Sequence, residues 1–206
     1  MRDRLLYIAG GLAIVLIAYN LAQTAAQPRE ALFYIPLAGT AALAAFTALA
    51  ASLLFLGSRN FQFDSLAVAV TEAGLAFSAA SIVNGCFLLH AATGRWWNWD
   101  SRLTAALVCW LLYATYLMLR HAVQDPTERA AFSAVWSIFA FLDIPMVAAT
   151  IKWWRSVSSL RTDWSGARLW NLVAMILVGI LLTVVRMRQE EARRELDSLR
   201  RITHAI

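Results

Sequence analysis

Residues 33–57 read FYIPLAGTAALAAFTALAASLLFLG, a run without one charged side chain. A bilayer core about 30 Å thick is crossed by about 20 apolar residues of α-helix, so this run predicts a membrane span. Five further stretches meet the same criterion, at about 5–22, 66–90, 103–120, 130–151 and 169–187. The charges fall in short clusters between these runs. Of the 206 residues, 60% are hydrophobic and 15% charged, where a soluble domain carries about 25% charged residues. Backbone groups in lipid must be hydrogen-bonded within their own element. The fold class is therefore all-α: a polytopic membrane protein built as a six-transmembrane-helix bundle. The longest polar segments are a loop and a tail, so no separate soluble domain fits. We divide the chain into a membrane domain, 1–187, and a charged helical tail, 188–206.

Arg2 and Arg4 precede the first apolar run, and small residues follow at Ala25 and Ala26. A cleaved signal has an apolar core of about 7–15 residues; this run is longer and reads as a retained helix. Six spans put both termini on one side. That side carries 11 Lys and Arg residues, the other 7. The positive-inside tendency then assigns the termini to the cytoplasm. The net charge of +5 follows from this arrangement, and no basic patch interleaved with aromatics points to nucleic acid.

Cys86 and Cys109 both lie in predicted spans, without C-x-x-C or metal-ligand spacing, and read as small buried residues. Pro126 and Glu128 after Asp125 form a helix start signal. In the tail, Glu190–Arg194 and Asp197–Arg201 are i,i+4 pairs in the favourable order. The tail reads as a solvated continuation of the last helix or as a docking helix for a partner.

Seven of the nine tryptophans fall on one face in this topology: Trp96, Trp97, Trp99, Trp153, Trp154, Trp164 and Trp170. An ordinary aromatic belt decorates both interfaces. Three of the seven stand in residues 96–102, WWNWDSR. Two readings fit, a one-sided interfacial belt and a platform for a planar ligand. Indole faces stack on a flat conjugated group, each buried aromatic removing about 150–250 Å² from water. Arg95, Arg102, Lys152 and Arg155 flank these tryptophans, and guanidinium is the best bidentate partner of a carboxylate. Asp100 either caps the following helix or orients Arg102.

Residues 93–104, TGRWWNWDSRLT, resemble the tryptophan-rich WWD signature of the haem-handling membrane proteins of cytochrome c biogenesis. The pattern Gly-x-Trp-Trp-x-Trp-Asp-x-Arg-Leu-Thr is met at every fixed position by Gly94, Trp96, Trp97, Trp99, Asp100, Arg102, Leu103 and Thr104. The nearest branch is the cytochrome c maturation protein C type, also called haem exporter protein C. Segments 113–120, 125–131 and 144–154 extend the likeness over essentially the whole chain. The resemblance implies a bacterial inner-membrane protein with six spans. It implies a transiently bound b-type haem on the extracytoplasmic face, passed to a haem chaperone that an ATP-binding-cassette complex releases. The implied platform is Arg95, Trp96, Trp97, Trp99, Asp100, Arg102, Trp153 and Trp154. The implied propionate partners are Arg95, Arg102, Lys152 and Arg155. No nucleophile or acid/base pair is required, so this is a transfer protein rather than a conventional enzyme.

The family holds haem iron between two histidines, and this sequence departs at both. Tyr34, ahead of Pro36, stands at the first position, and Ser158, after Trp153-Trp154, at the second. Candidate axial ligands are then Tyr34, as a phenolate, and His90, six residues before Trp96; binding through stacking and propionates alone is a third route. His121 and His204 fall on the cytoplasmic side. Glu72 and Asp143 are acids at membrane depth, where ionisable groups default to functional candidates; Asp143 reads either as a partner of Asn84 across the bundle or as a neutral, hydrogen-bonded packing residue. Pro145 should kink span five. Two other functions remain open. One is a scaffold subunit of a cytochrome-assembly complex that does not ligate haem; the other is a transporter, supported only by Glu72, Asp143 and the proline.

Overall fold

A computed structural model describes residues 34–99, 101–145 and 166–204. They form five helices: α1 Tyr34–Ser58, α2 Phe61–Thr93, α3 Ser101–Ala122, α4 Pro126–Phe141 and α5 Gly166–His204. No strand occurs among the described residues. Four segments are long and apolar enough to cross a membrane: Pro36–Ser58, Phe61–Phe87, Leu103–Ala122 and Leu169–Gln189. They coincide with the predicted spans 33–57, 66–90, 103–120 and 169–187. The predicted span 5–22 lies outside the described residues.

The predicted span 130–151 is described only as far as residue 145. Regular helix stops at Phe141, Leu142 makes a turn whose N–H bonds Phe139 at 3.1 Å, and helical geometry resumes over 143–145. Pro145 explains the position. A proline lacks the N–H that would reach the carbonyl four residues back, here Phe141, and its ring crowds that carbonyl.

Each connection is closed by local hydrogen bonds. Arg59 has φ 54°, and its N–H bonds Phe55 O at 2.7 Å, a left-handed cap on α1. Asn60 then caps α2, its side chain accepting from Gln62 N at 3.0 Å. At the far end of α2, Gly94 has φ 72° and donates to His90 O at 2.8 Å, the same cap with the residue type that tolerates it. Asp125 caps α4 through Thr127 N at 2.7 Å and Glu128 N at 3.0 Å, with Pro126 first in the helix, as the start signal predicts.

The helices α1 to α4 form an up-down ring in which α1 meets α2, α2 meets α3, α3 meets α4 and α4 meets α1. The diagonal contact of α2 with α4 is slight, and α5 packs outside the ring against α1 and α2. Lipid offers little hydrophobic drive for helix association, so close packing of small residues must supply it. Ala45, Ala48 and Ala51 of α1 and Ala67, Ala69 and Ala73 of α2 are buried accordingly. The tightest approach is at Gly74, where an added Cβ would stand 2.8 Å from the Cβ of Ala44.

Two ion pairs tie the end of the ring where α1 turns into α2. Arg120 of α3 makes a two-pronged bond to Asp64 of α2, at 2.5 and 2.9 Å, with both side chains buried. Arg186 of α5 bonds Glu72 of α2. In the first pair Asp64 lies before the start of the predicted span 66–90. The helix instead begins at Phe61 once Asn60 caps it, and Asp64 enters its first turn. The same pairing answers Glu72, whose membrane-depth charge is met by Arg186. Trp136 of α4 fixes α4 to α3 by donating to Leu112 O at 2.9 Å.

Candidate functional site

The opposite end of the ring carries the tryptophans. The left-handed turn at Gly94 reverses the chain directly after α2, so the residue two positions on folds back over the last turn of that helix. Trp96 thereby stacks on His90, with ring centroids 4.0 Å apart and planes 7° from parallel. Phe87 meets Trp96 edge-on at 5.4 Å and 76°. Phe87 and His90 are i,i+3 neighbours on α2, so one indole is gripped by two adjacent rings of the helix. His90 Nδ1 is buried and has no hydrogen-bond partner.

Trp97 and Trp99 pair differently. Their centroids are 5.6 Å apart and their planes 82° apart, so the two indoles cannot both lie flat on one planar ligand. Trp99 is 75% exposed, whereas Trp97 is half-buried and its Nε1 has no hydrogen-bond partner. Arg95 and Asn98 are exposed beside them. The tryptophan surface is thus angular. Trp96 stacks on the last turn of α2, and Trp97 and Trp99 present perpendicular faces.

Asp100, Lys152, Trp153, Trp154 and Arg155 lie outside the described residues, as do the side chains of Tyr34 and Arg102. The structure therefore brings Phe87, His90 and Trp96 together in one group and Trp97 with Trp99 in a second, with Arg95, next to Trp96 in sequence, exposed.

Behind these groups the ring is hollow. A cavity of about 240 Å³ lies between α1, α2 and α3, walled by residues such as Ala41, Ala45, Gly74, Trp110 and Tyr113. The Trp110 indole N–H and the Tyr113 hydroxyl line it without hydrogen-bond partners. Beside it Cys109 stands next to Asp143, whose Oδ2 has no hydrogen-bond partner. One sequence expectation is narrowed here. Asp143 lies against Cys109, as a packing residue, and no hydrogen bond joins it to Asn84. The sequence signal for this pocket was the spacing Ala106, Cys109, Tyr113 with Trp110 between, which marks one side of α3 but carries no motif.

A family model described as "Heme exporter protein C" matches residues 3–202. The chain belongs to that family. It is therefore a multi-pass helical membrane protein of the haem exporter protein C family. The chain is 29% identical over 160 residues to the Heme exporter protein C of Bradyrhizobium diazoefficiens, covering 72% of this chain and 61% of that protein. It is 25% identical over 138 residues to the Escherichia coli K12 Heme exporter protein C, covering 63% of this chain and 56% of that one. The chain thus spans about three-fifths of the curated relatives it matches. A shorter stretch of 78 residues is 36% identical to the Cytochrome c biogenesis protein CcsA of Prochlorococcus marinus, covering 38% of this chain and 24% of that protein.

Proposed function

We propose that this chain binds haem at its tryptophan end during c-type cytochrome biogenesis and passes it to a haem chaperone. In this reading six spans cross the bacterial inner membrane, both termini are cytoplasmic, and the tryptophan loop is extracytoplasmic. Haem is the cargo, held transiently as b-type haem, and an ATP-binding-cassette complex acts on the loaded chaperone. The membrane domain is 1–187, with 188–206 its cytoplasmic tail.

One observation carries the proposal. On either side of the Gly94 turn, His90 Nδ1 in the Trp96 stack and Trp97 Nε1 in the Trp99 pair are both buried without hydrogen-bond partners. Burying an unpaired polar group costs about 1–3 kcal/mol. A porphyrin fits these residues, since it offers a flat apolar face to one indole and acceptors to the spare N–H. The exposed Arg95 is suited to a propionate, as a guanidinium binds carboxylate by two parallel bonds. Asp100, Arg102, Lys152, Trp153, Trp154 and Arg155 complete the proposed site on the strength of the resemblance, and Tyr34 joins them as a candidate ligand where the family has a histidine.

The test is an optical titration of the purified full chain in lipid nanodiscs with haemin. Saturable growth of a Soret band is expected, with affinity about tenfold weaker in Trp97→Ala. Absence of any saturable band would replace this proposal with the scaffold reading. One feature favours that second reading. The helix α5 runs unbroken through 39 residues, Gly166–His204, about 58 Å at 1.5 Å per residue. That is nearly twice the depth of the bilayer core, leaving a charged helical arm free for a partner subunit.

A further inference from the structure

We propose that His90 supplies an axial nitrogen to haem iron and that Trp96 is its positioning residue, not a surface on which the porphyrin lies. This rests on the haem reading above and deepens it. The argument is geometric. An imidazole nitrogen donates its lone pair in the plane of its own ring, and the porphyrin stands perpendicular to that bond. A haem ligated by His90 is therefore steeply inclined to the His90 ring. Trp96 lies 7° from parallel to that ring, so the haem meets Trp96 edge-on. The same indole cannot both hold His90 in this stack and lie flat beneath the porphyrin.

The surroundings support the division of roles. Histidine ligands are usually aimed by a hydrogen bond from the second ring nitrogen to a carboxylate or carbonyl. His90 Nδ1 makes none. The ring is oriented by its face instead, against Trp96, which Phe87 holds from the edge at 5.4 Å. Trp96 reaches that position because Gly94 adopts φ 72°. The porphyrin face is then left to Trp97 or Trp99, and their 82° angle admits only one of them. In the binding step the neutral imidazole gives one lone pair to iron and keeps its single proton on the other nitrogen. The iron keeps its oxidation state, and a weakly held solvent ligand leaves.

The experiment uses the full chain in nanodiscs titrated with haemin, read by Soret position and by electron paramagnetic resonance. The wild type should show the Soret position of a histidine-ligated ferric haem, with hyperfine coupling to one imidazole nitrogen. In His90→Gly, and equally in His90→Ala, that coupling should disappear and affinity should fall about tenfold. Free imidazole should restore both, a response that loss of a merely structural side chain would not give. Trp96→Ala should reduce the histidine-ligated fraction, while Trp96→Phe, which keeps a stacking face, should retain it. Haem uptake with an unchanged spectrum in both His90 variants would overturn the ligand assignment and leave the haem function standing. An unchanged spectrum in Trp96→Ala would overturn the positioning role. No uptake by the wild type would remove the function and this inference together.

Discussion

The two ends of the helical ring are built on opposite terms. Where α1 turns into α2, the interior is filled by Phe55 and Tyr116, each 1% exposed, and the buried charges of Asp64 and Arg120 neutralise each other. Between the two ends the ring encloses a cavity of about 240 Å³, onto which Trp110 and Tyr113 bring unpartnered polar atoms. At the tryptophan end itself, Trp97 and His90 each keep a buried polar atom without a partner. Arg129 Nε and the hydroxyls of Ser52, Ser133 and Ser137 are also unpartnered, so the contrast lies in the paired charges of one end and the open aromatic surface of the other. The contrast teaches where the fold is self-sufficient and where it is prepared for something else. One end stabilises the bundle by paired charge, and the other presents indole faces and the Trp97 N–H, which a ligand can meet.

The comparison is broken most severely by removing one partner of the buried pair. Stripping a partner from a buried salt bridge leaves an uncompensated charge and costs roughly 3–5 kcal/mol. Arg120→Leu should therefore lower the thermal midpoint in nanodiscs sharply. Haem affinity, measured below that midpoint, should stay near wild type if the two ends are independent. Loss of both together would mean that the ion pair also shapes the tryptophan end. Replacing both partners, Asp64→Leu with Arg120→Leu, should recover much of the stability, since a fully apolar replacement leaves no buried charge.

Gly74 is the next test, because it lies between the two ends. Its missing side chain lets α1 and α2 approach until an added Cβ would sit 2.8 Å from that of Ala44. Gly74→Leu overpacks this contact, and overpacking costs about 1–3 kcal/mol. It also points bulk toward the cavity that Gly74 lines. The expected result is a moderate fall in thermal midpoint in a dithionite-free optical melt. A fall as large as that of Arg120→Leu would show that helix spacing outweighs charge pairing.

Gly94→Ala addresses the tryptophan end alone. No atom lies within 4 Å of an added Cβ there, yet φ is 72°. The cost is therefore conformational, about 1–2 kcal/mol for a side-chain-bearing residue in the left-handed region. Global stability should change little, because a helix terminus can fray. The stack of Trp96 on His90 depends on this turn, so tryptophan fluorescence should shift. An unaltered emission spectrum would separate the turn from the stack.

These residues also mark how far the sequence could be read. Four spans were legible as runs of apolar residues, and the WWNWDSR motif announced the functional end. The break at Phe141 followed from Pro145. Rotational facing was not legible, because α1 and α2 are apolar nearly all round and show no polar stripe to fix which side turns inward. That is why Asp64 fell just before the predicted span 66–90 and the stack of Trp96 on His90 was not legible. Each outcome depended on a cap: Asn60 extending α2, and Gly94 folding Trp96 back onto His90.

The smallest expected effect concerns Asp125, outside both ends of the ring. Backbone N–H groups of Glu128 and Thr127 donate to its side chain and lower its pKa below the usual 3.8. A carboxyl whose folded pKa is depressed stabilises the fold at pH values above its unfolded pKa. That contribution is lost as the pH falls through the lower folded value. The wild type should therefore lose a little stability on the acid side of 3.8. Asp125→Asn keeps a capping oxygen but does not titrate, so its melting curve should lack this increment. The difference between the two proteins should be visible at neutral pH and vanish in acid. Because the group is fully exposed, the shift should be small and reduced further by salt. A difference that instead grew on acidification would mean that another carboxylate, not the α4 cap, governs the acid limb.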